Sequence, residues 1–151
     1  MGIESIPSES ECYPAKLAHG HIEWLIGQHV DFIFYPALFY ERNEFQDANN
    51  HYNCPIVTSY SENIKNNVEA IGRGEVVFKN PFMGFTSPEL IAQSLIKEFP
   101  DIDASEITDA VNAGWKELEA VRQDMYHKGE EVIEYIEKNH SRAIVLAGRP
   151  Y

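Results

Sequence analysis

The sequence predicts an α/β domain: a small, mainly parallel sheet flanked by helices. Three observations point to it. Short apolar runs ended by turn residues, such as Asp31-Phe32-Ile33-Phe34-Tyr35-Pro36, read as buried strands. Between them, apolar residues at three-and-four spacing read as amphipathic helices. The chain has 151 residues, 44% apolar and 24% charged, which is one domain's worth with enough apolar content for a core.

The elements follow in order. Met1 to Glu11 reads as loop or a short strand. Pro14 suits the first turn of a helix, where its missing N–H costs nothing. Leu17, Ile22, Leu25 and Ile26 carry that helix to about Gln28, with Gly27 as its stop. Gly20, inside it, predicts close packing or ligand approach. Asp31 to Pro36 is the first strand, and the Asn-rich stretch Tyr40 to Asn53 is loop. Pro55 to Ser59 is a second strand, Ser61 to Asn67 a short helix, and Val76 to Phe78 a third extended piece before the loop Lys79 to Thr86. Ser87-Pro88-Glu89 opens a helix with a cap, a first-position proline and a first-turn acid; Pro100 closes it. Asp103 or Ser105 opens one long helix, around 104–139, whose apolar face runs from Ile107 through Trp115 to Ile136, with breaks expected at Gly114 and Gly129. Ala143 to Gly148 reads as a buried strand. The pattern divides into a cysteine-bearing part, 1–67, a mainly helical part, 68–142, and a last part, 143–151. Together it reads as a Rossmann-like half.

That last part is the way a βα unit begins, and the loop after such a strand is where open α/β sheets bind ligands. Because Met1-Gly2 leads straight into a dense motif and the chain stops at Tyr151, the expectation is an internal domain of a larger protein.

Lys and Arg number 12 against 24 Asp and Glu, a formal charge of −12. Residues 1–67 hold nine acids and three Lys/Arg, and residues 68–151 hold fifteen and nine, so each part carries −6. A diffuse acidic surface argues against nucleic acid and against anionic lipid as partners. No apolar run is long enough to span a bilayer, and residues 1–10 lack the apolar core of a signal peptide. Two cysteines do not make a disulfide framework, so a cytosolic, reducing compartment is expected.

Two residues carry most of the chemical interest. Cys12 lies just ahead of a predicted helix start, where free N–H groups and the helix dipole favour a thiolate; Lys16 adds positive charge and Glu9 and Glu11 oppose it. Cys54 lies where the Asn-rich loop ends, three residues after His51. Either is a ligand or nucleophile, or a small buried hydrophobe. His19 and His21, two apart on a helix, point in different directions and make a poor metal pair. Glu41 and Glu44 around Arg42 read as a paired-carboxylate site or a solvated turn. Phosphate loops, dinucleotide fingerprints, nucleophile elbows and zincin motifs are missing. The long helix reads as a packing element, for the sheet or for a neighbour, and its apolar face predicts self-association of an excised domain.

Ile6-Pro7-Ser8-Glu9-Ser10-Glu11-Cys12-Tyr13-Pro14-Ala15-Lys16-Leu17-Ala18-His19-Gly20-His21 resembles the cysteine motif of the activase-related 2-hydroxyacyl-CoA dehydratase proteins. Asn49 to Val57, with Cys54, resembles their second cysteine motif, and Ala143 to Tyr151 a strand and loop further along. The resemblance implies a large polypeptide, often fused to an ATP-hydrolysing activator module of the acetate-kinase/actin-like type. That activator passes an electron to an iron–sulfur cluster used in acyl-CoA dehydration or reduction. In the dehydratase and benzoyl-CoA reductase components the cluster is held mainly by three cysteines. Cys12 and Cys54 match two of them and the third is not in this chain, so the resemblance implies a cluster completed elsewhere and none held intact by the chain alone. The remaining expectations are tuning by His51, contacts of Lys16 and His19 near the cluster or with a CoA phosphate, and an acyl-CoA substrate. Two rival readings stand beside this one: a scaffold or docking domain with structural cysteines, and a cysteine-nucleophile enzyme that would need His19 or His51 beside a thiolate.

Overall fold

A computed structural model describes residues 4–148. The expectations for Met1-Gly2 and for the loop Arg149-Pro150-Tyr151 lie outside the described residues. The chain is α/β: short parallel strands flanked by helices, with one long helix near the end.

Helix α1, Tyr13–Gly27, starts after Cys12 with Pro14 in its first turn and stops at Gly27. Ala15, His19 and Ile22 are its buried face, and Leu25 and Ile26 pack on the core, while Leu17 is exposed. A Cβ added at Gly20 would meet nothing within 4 Å, so Gly20 serves no close packing.

The strands form one parallel ribbon in two pieces. Strand β1, Phe32–Phe34, pairs with β3, Val77–Lys79, and β2, Ala37–Glu41, pairs with β4, Phe82–Phe85. The register is unbroken between the pieces: Phe34 pairs with Lys79 and Ala37 with Phe82, which sets Pro36 opposite Pro81. Tyr35 N donates to Lys79 O at 2.8 Å and Ala37 N to Pro81 O at 2.9 Å across the gap. The next rung of a parallel ladder would run from residue 81 N–H to Tyr35 O, and proline has no N–H to give. The expected single sheet is therefore two two-stranded sheets. The register slips between Leu38 and Tyr40.

Three expectations fail here. Strand β1 is not fully buried: Ile33 points into the core while Phe32 and Phe34 stay largely exposed beside Phe99. The strand expected at Pro55 to Ser59 is the start of helix α2, Pro55–Asn67, with Cys54 at its N-cap. Strand β4 lies within the expected loop Lys79 to Thr86, and β2 covers Ala37 to Phe39, which the sequence assigns to no element, and the first two residues of the expected loop Tyr40 to Asn53. Pro36 does not end the extended run but interrupts it, so the extended backbone continues through Ala37-Leu38-Phe39-Tyr40. With β2 supplying that strand, Pro55 is left free to act as the first residue of a helix.

A short turn of helix, α3 (Glu69–Gly72), and Gly74 at φ +72° turn the chain into β3. Helix α4, Pro88–Glu98, is capped by Ser87, whose Oγ accepts from Leu90 N at 3.4 Å. Helix α5, Ala104–Lys138, is capped by Asp103, whose Oδ1 accepts from Ser105 N at 2.8 Å. It runs unbroken through Gly114 and Gly129, for 35 residues or roughly 52 Å. Residues 141–148 have no regular structure, and Ile144 and Leu146 are each 96% exposed, so the expected strand is not formed. A strand needs a partner for its N–H and C=O groups, and none pairs with it among the described residues.

The core is Ile22, Ile33, Ile64, Val68 and Val76, drawn from α1, β1, α2 and the residues flanking α3. It clamps α1 against α2 and the ribbon. A second layer packs α4 on β4 and α5, burying Met83, Ile91, Ala92 and Ile107.

Candidate functional site

The two cysteines occupy equivalent places. Each is the N-cap residue of a helix, each is followed by proline in the first turn, and neither first turn contains an acid. Neither cysteine side chain hydrogen-bonds a leading N–H of its helix, and each thiol stands at the positive end of a helix dipole. Both thiols are half-buried, and no disulfide joins them.

Tyr60 joins α2, which Cys54 heads, to Cys12. From the second turn of α2 its Oη comes within 3.5 Å of Cys12 Sγ. Burial pushes its phenol well above the usual tyrosine range, with the Cys12 contact and the charges of Cys12, Tyr35 and Cys54 adding to the rise. Tyr60 therefore keeps its proton, and the hydroxyl is a donor for an anionic sulfur. Burial pushes Tyr35 up as well.

The segment ahead of Cys12 is fastened by polar contacts. Glu11 Oε1 accepts from Asn63 Nδ2 of α2 at 2.7 Å. Its other oxygen is buried with no hydrogen-bond donor and faces His19 Nε2 at 3.9 Å. Lys16 Nζ donates to Glu9 O at 2.6 Å. His19 is 1% exposed, with Nδ1 and Ser5 Oγ 3.0 Å apart. Burial holds its imidazole below the usual histidine range, against the pull of Glu11 and Glu23. His19 thus partners Ser5 and Glu11 rather than a sulfur, while His21 is exposed on another side of α1.

Beyond Tyr60 opens a cavity of about 610 Å³, lined by Tyr35, Leu38, His51, Asn53, Val57 and Tyr60 among others. Asn53 fixes its wall: Nδ2 donates to Leu38 O at 3.0 Å and to Glu41 Oε1 at 2.9 Å, one residue before Cys54. The His51 ring lies edge-on to Tyr40 at 5.6 Å, and its carbonyl accepts from Glu41 N. The carboxylates expected as a pair are divided, Glu41 taking Asn53 and Glu44 pairing with Arg42 at 3.1 Å. Arg42 also reaches Glu119 of α5 at 3.2 Å and sits over the Trp115 ring.

So Cys12 meets the Tyr60 phenol, Cys54 heads the helix that carries that phenol, His51 lines the adjoining cavity, and Lys16 and His19 hold the segment that carries Cys12. Among the described residues no three of His, Cys, Asp and Glu converge into a group able to hold a metal. Sequence reading missed Tyr60, Tyr35 and Asn53. Tyr60 sits six residues after Cys54, a signal usable only once Pro55–Asn67 is seen to be one helix.

No helix among the described residues is long and apolar enough to cross a membrane. No curated protein and no solved structure matches the chain. The model of one family, described as the CoA enzyme activase uncharacterised domain, matches residues 1–151, and the chain belongs to that family.

Proposed function

We propose that this domain supplies Cys12 and Cys54 as two thiolate ligands of an iron–sulfur centre, the remaining ligands coming from outside the chain. The centre would serve ATP-driven, low-potential electron transfer in acyl-CoA dehydration or reduction. The observation that carries the reading is the matched placement of two half-buried thiols at two helix N-termini, the first of them against the Tyr60 phenol. The donor set fits two positions of such a group and no more, since no third ligand stands nearby among the described residues.

A bound cluster supplies one-electron chemistry; the chain supplies its setting. Helix N–H groups stabilise negative charge on each sulfur. Tyr60 Oη donates to Cys12 Sγ, and hydrogen bonds to ligand sulfurs tune the potential of such a centre. Asn53 fixes the backbone leading into Cys54, and Glu11 with Asn63 fixes the backbone leading into Cys12. His51 faces the cavity where a substrate or partner group would approach. Lys16 is within reach of a CoA phosphate only if it releases Glu9 O, and His19 acts from inside, through Ser5 and Glu11. The partners in this reading are the rest of the parent polypeptide, with its ATP-hydrolysing activator module, and an acyl-CoA.

The test is anaerobic iron–sulfur reconstitution of the full-length polypeptide, wild type beside Cys12→Ala and Cys54→Ala. Each substitution is expected to lower iron content and to change the visible spectrum; unchanged iron and spectrum in both sinks the ligand assignment. A docking domain with structural cysteines is the second reading, favoured by the Cys12–Tyr60 contact, which already gives one thiol a partner within the chain.

A further inference from the structure

Helix α5 carries one apolar stripe along its length, and the fold covers only the first half. Ile107 is buried, Val111 and Trp115 are half-buried, and α4 and Phe85 pack against this half. At about 100° per residue, Leu118, Val121, Met125 and Val132 fall on the same side as Ile107. They are exposed, Met125 by 72%. Where the stripe leaves the body, a groove of about 250 Å³ opens between Arg42, Leu118, Val121, Arg122, Met125 and Tyr126. Gly129 falls in the bare stretch and a Cβ there would meet nothing, which leaves room for a close approach.

The charges beside the stripe are one-sided. From Glu117 to Lys138 there are seven acids against three Lys/Arg. Two of those cations are committed locally: Arg122 faces Glu119 and donates to Tyr126 Oη, and Lys128 donates to Glu131. Glu117, Asp124, Glu130 and Glu137 remain along the two margins for an incoming surface to meet.

We infer that the outer half of α5 docks an amphipathic helix of a partner protein, one whose apolar seam is flanked by lysine and arginine. The apolar stripe supplies contact area and the acidic margins select the partner, as charges beside the seam do in paired helices. A second copy of this chain fits less well, because it would bring the same acidic margins together and adds another −12. The stretch from Leu118 to Ile136 spans roughly 28 Å, so the matching helix has about five turns. Its first apolar residue would fill the groove beside Leu118 and Met125.

The probe is a labelled synthetic helix of about 20 residues, with leucine at three-and-four spacing and lysine at the flanking positions. It is titrated into the whole chain by fluorescence anisotropy, beside a copy with glutamate for each lysine. The expected result is saturable one-to-one binding of the lysine peptide, roughly tenfold weaker at about 300 mM salt than at about 50 mM and at least tenfold weaker for the glutamate peptide. The triple variant Val121→Ser, Met125→Ser, Val132→Ser should lose about tenfold or more in affinity with its helix content unchanged by circular dichroism, and Glu69→Gln should lose none. Equal binding of the two peptides, or no binding of either, overturns the inference. So does a chain dimer in sedimentation equilibrium that the triple variant dissolves, or amide shifts on titration that fall outside residues 118–136.

Discussion

The surroundings of Cys12 and Cys54 and the outer half of α5 are written in the same kind of periodic sequence, and they end in opposite environments. Around the cysteines, α1 and α2 are locked by Ile22, Ile64 and Val68 beneath and by Glu11–Asn63 and Cys12–Tyr60 above. The outer half of α5 touches little of the body, and its apolar residues lie open. Periodicity therefore specifies a helix and a face, but not what the face meets. Rigidity belongs to the cysteine side, where a site needs fixed ligands; availability belongs to α5, where a surface needs to be reachable.

The sharpest way to break this contrast is at Ile64. It is fully buried, so Ile64→Ala should cost about 2–5 kcal/mol in denaturant unfolding. A cost near zero would mean that the cysteine side is no better packed than the helix arm. Next comes Tyr60→Phe, which removes the hydroxyl from Cys12 and should cost about 0.5–1.5 kcal/mol by the same measurement. A smaller effect is pH-dependent. His19 is held neutral by burial, its folded pKa below the unfolded value of 6.5, so its contribution is complete above 6.5 and is lost as pH falls through the folded value. Unfolding free energy should thus decline below pH 6.5, and His19→Asn should flatten that part of the curve; an unchanged slope would show the imidazole to be solvated. The smallest change is expected on the arm. Val132→Ser should shift stability by no more than about 0.5 kcal/mol, and a larger loss would mean that α5 packs against something in the isolated chain.

What was legible from sequence was local. Ser87-Pro88-Glu89 and Asp103 announce α4 and α5 because a cap acts within one turn of itself. Cys12 and Cys54 stood out because they flank helix or loop boundaries that composition marks. The errors arose where a distant partner decides the conformation. Ala37–Glu41 is a strand because Phe82–Phe85 lies beside it, and neither segment declares the other. Ile56-Val57 carries strand-forming residues in a helix, since Pro55 and the packing of Ser61 and Ile64 outweigh a modest β preference. Ala143 to Leu146 has the composition of a strand and lacks the neighbour that would make it one. Tyr60 was invisible as a site residue because it reaches Cys12 across 48 positions of sequence.

The proline pair in the ribbon bears on solubility as well as on register. Tyr35 and Ala37 direct their N–H groups inward, to Lys79 and Pro81, so by strand alternation Pro36 directs its nitrogen outward, to the open edge. A two-stranded ribbon has such edges wherever no further segment pairs with it, as residues 51–53 do at Tyr40, and each open edge is a template for a foreign strand. On the β1–β2 edge the row of donors is cut at Pro36; the piece before it is three residues long, and the end of the piece after it is already bonded to residues 51–53, through Glu41 N to His51 O and Asn53 N to Phe39 O. An apolar strand arriving there, of the kind that Ile144-Val145-Leu146 would form in a neighbouring molecule, finds too short a run of donors to build on. The same residue type that hid the second strand from sequence reading thus guards the ribbon against strand addition by the chain's own exposed apolar segment.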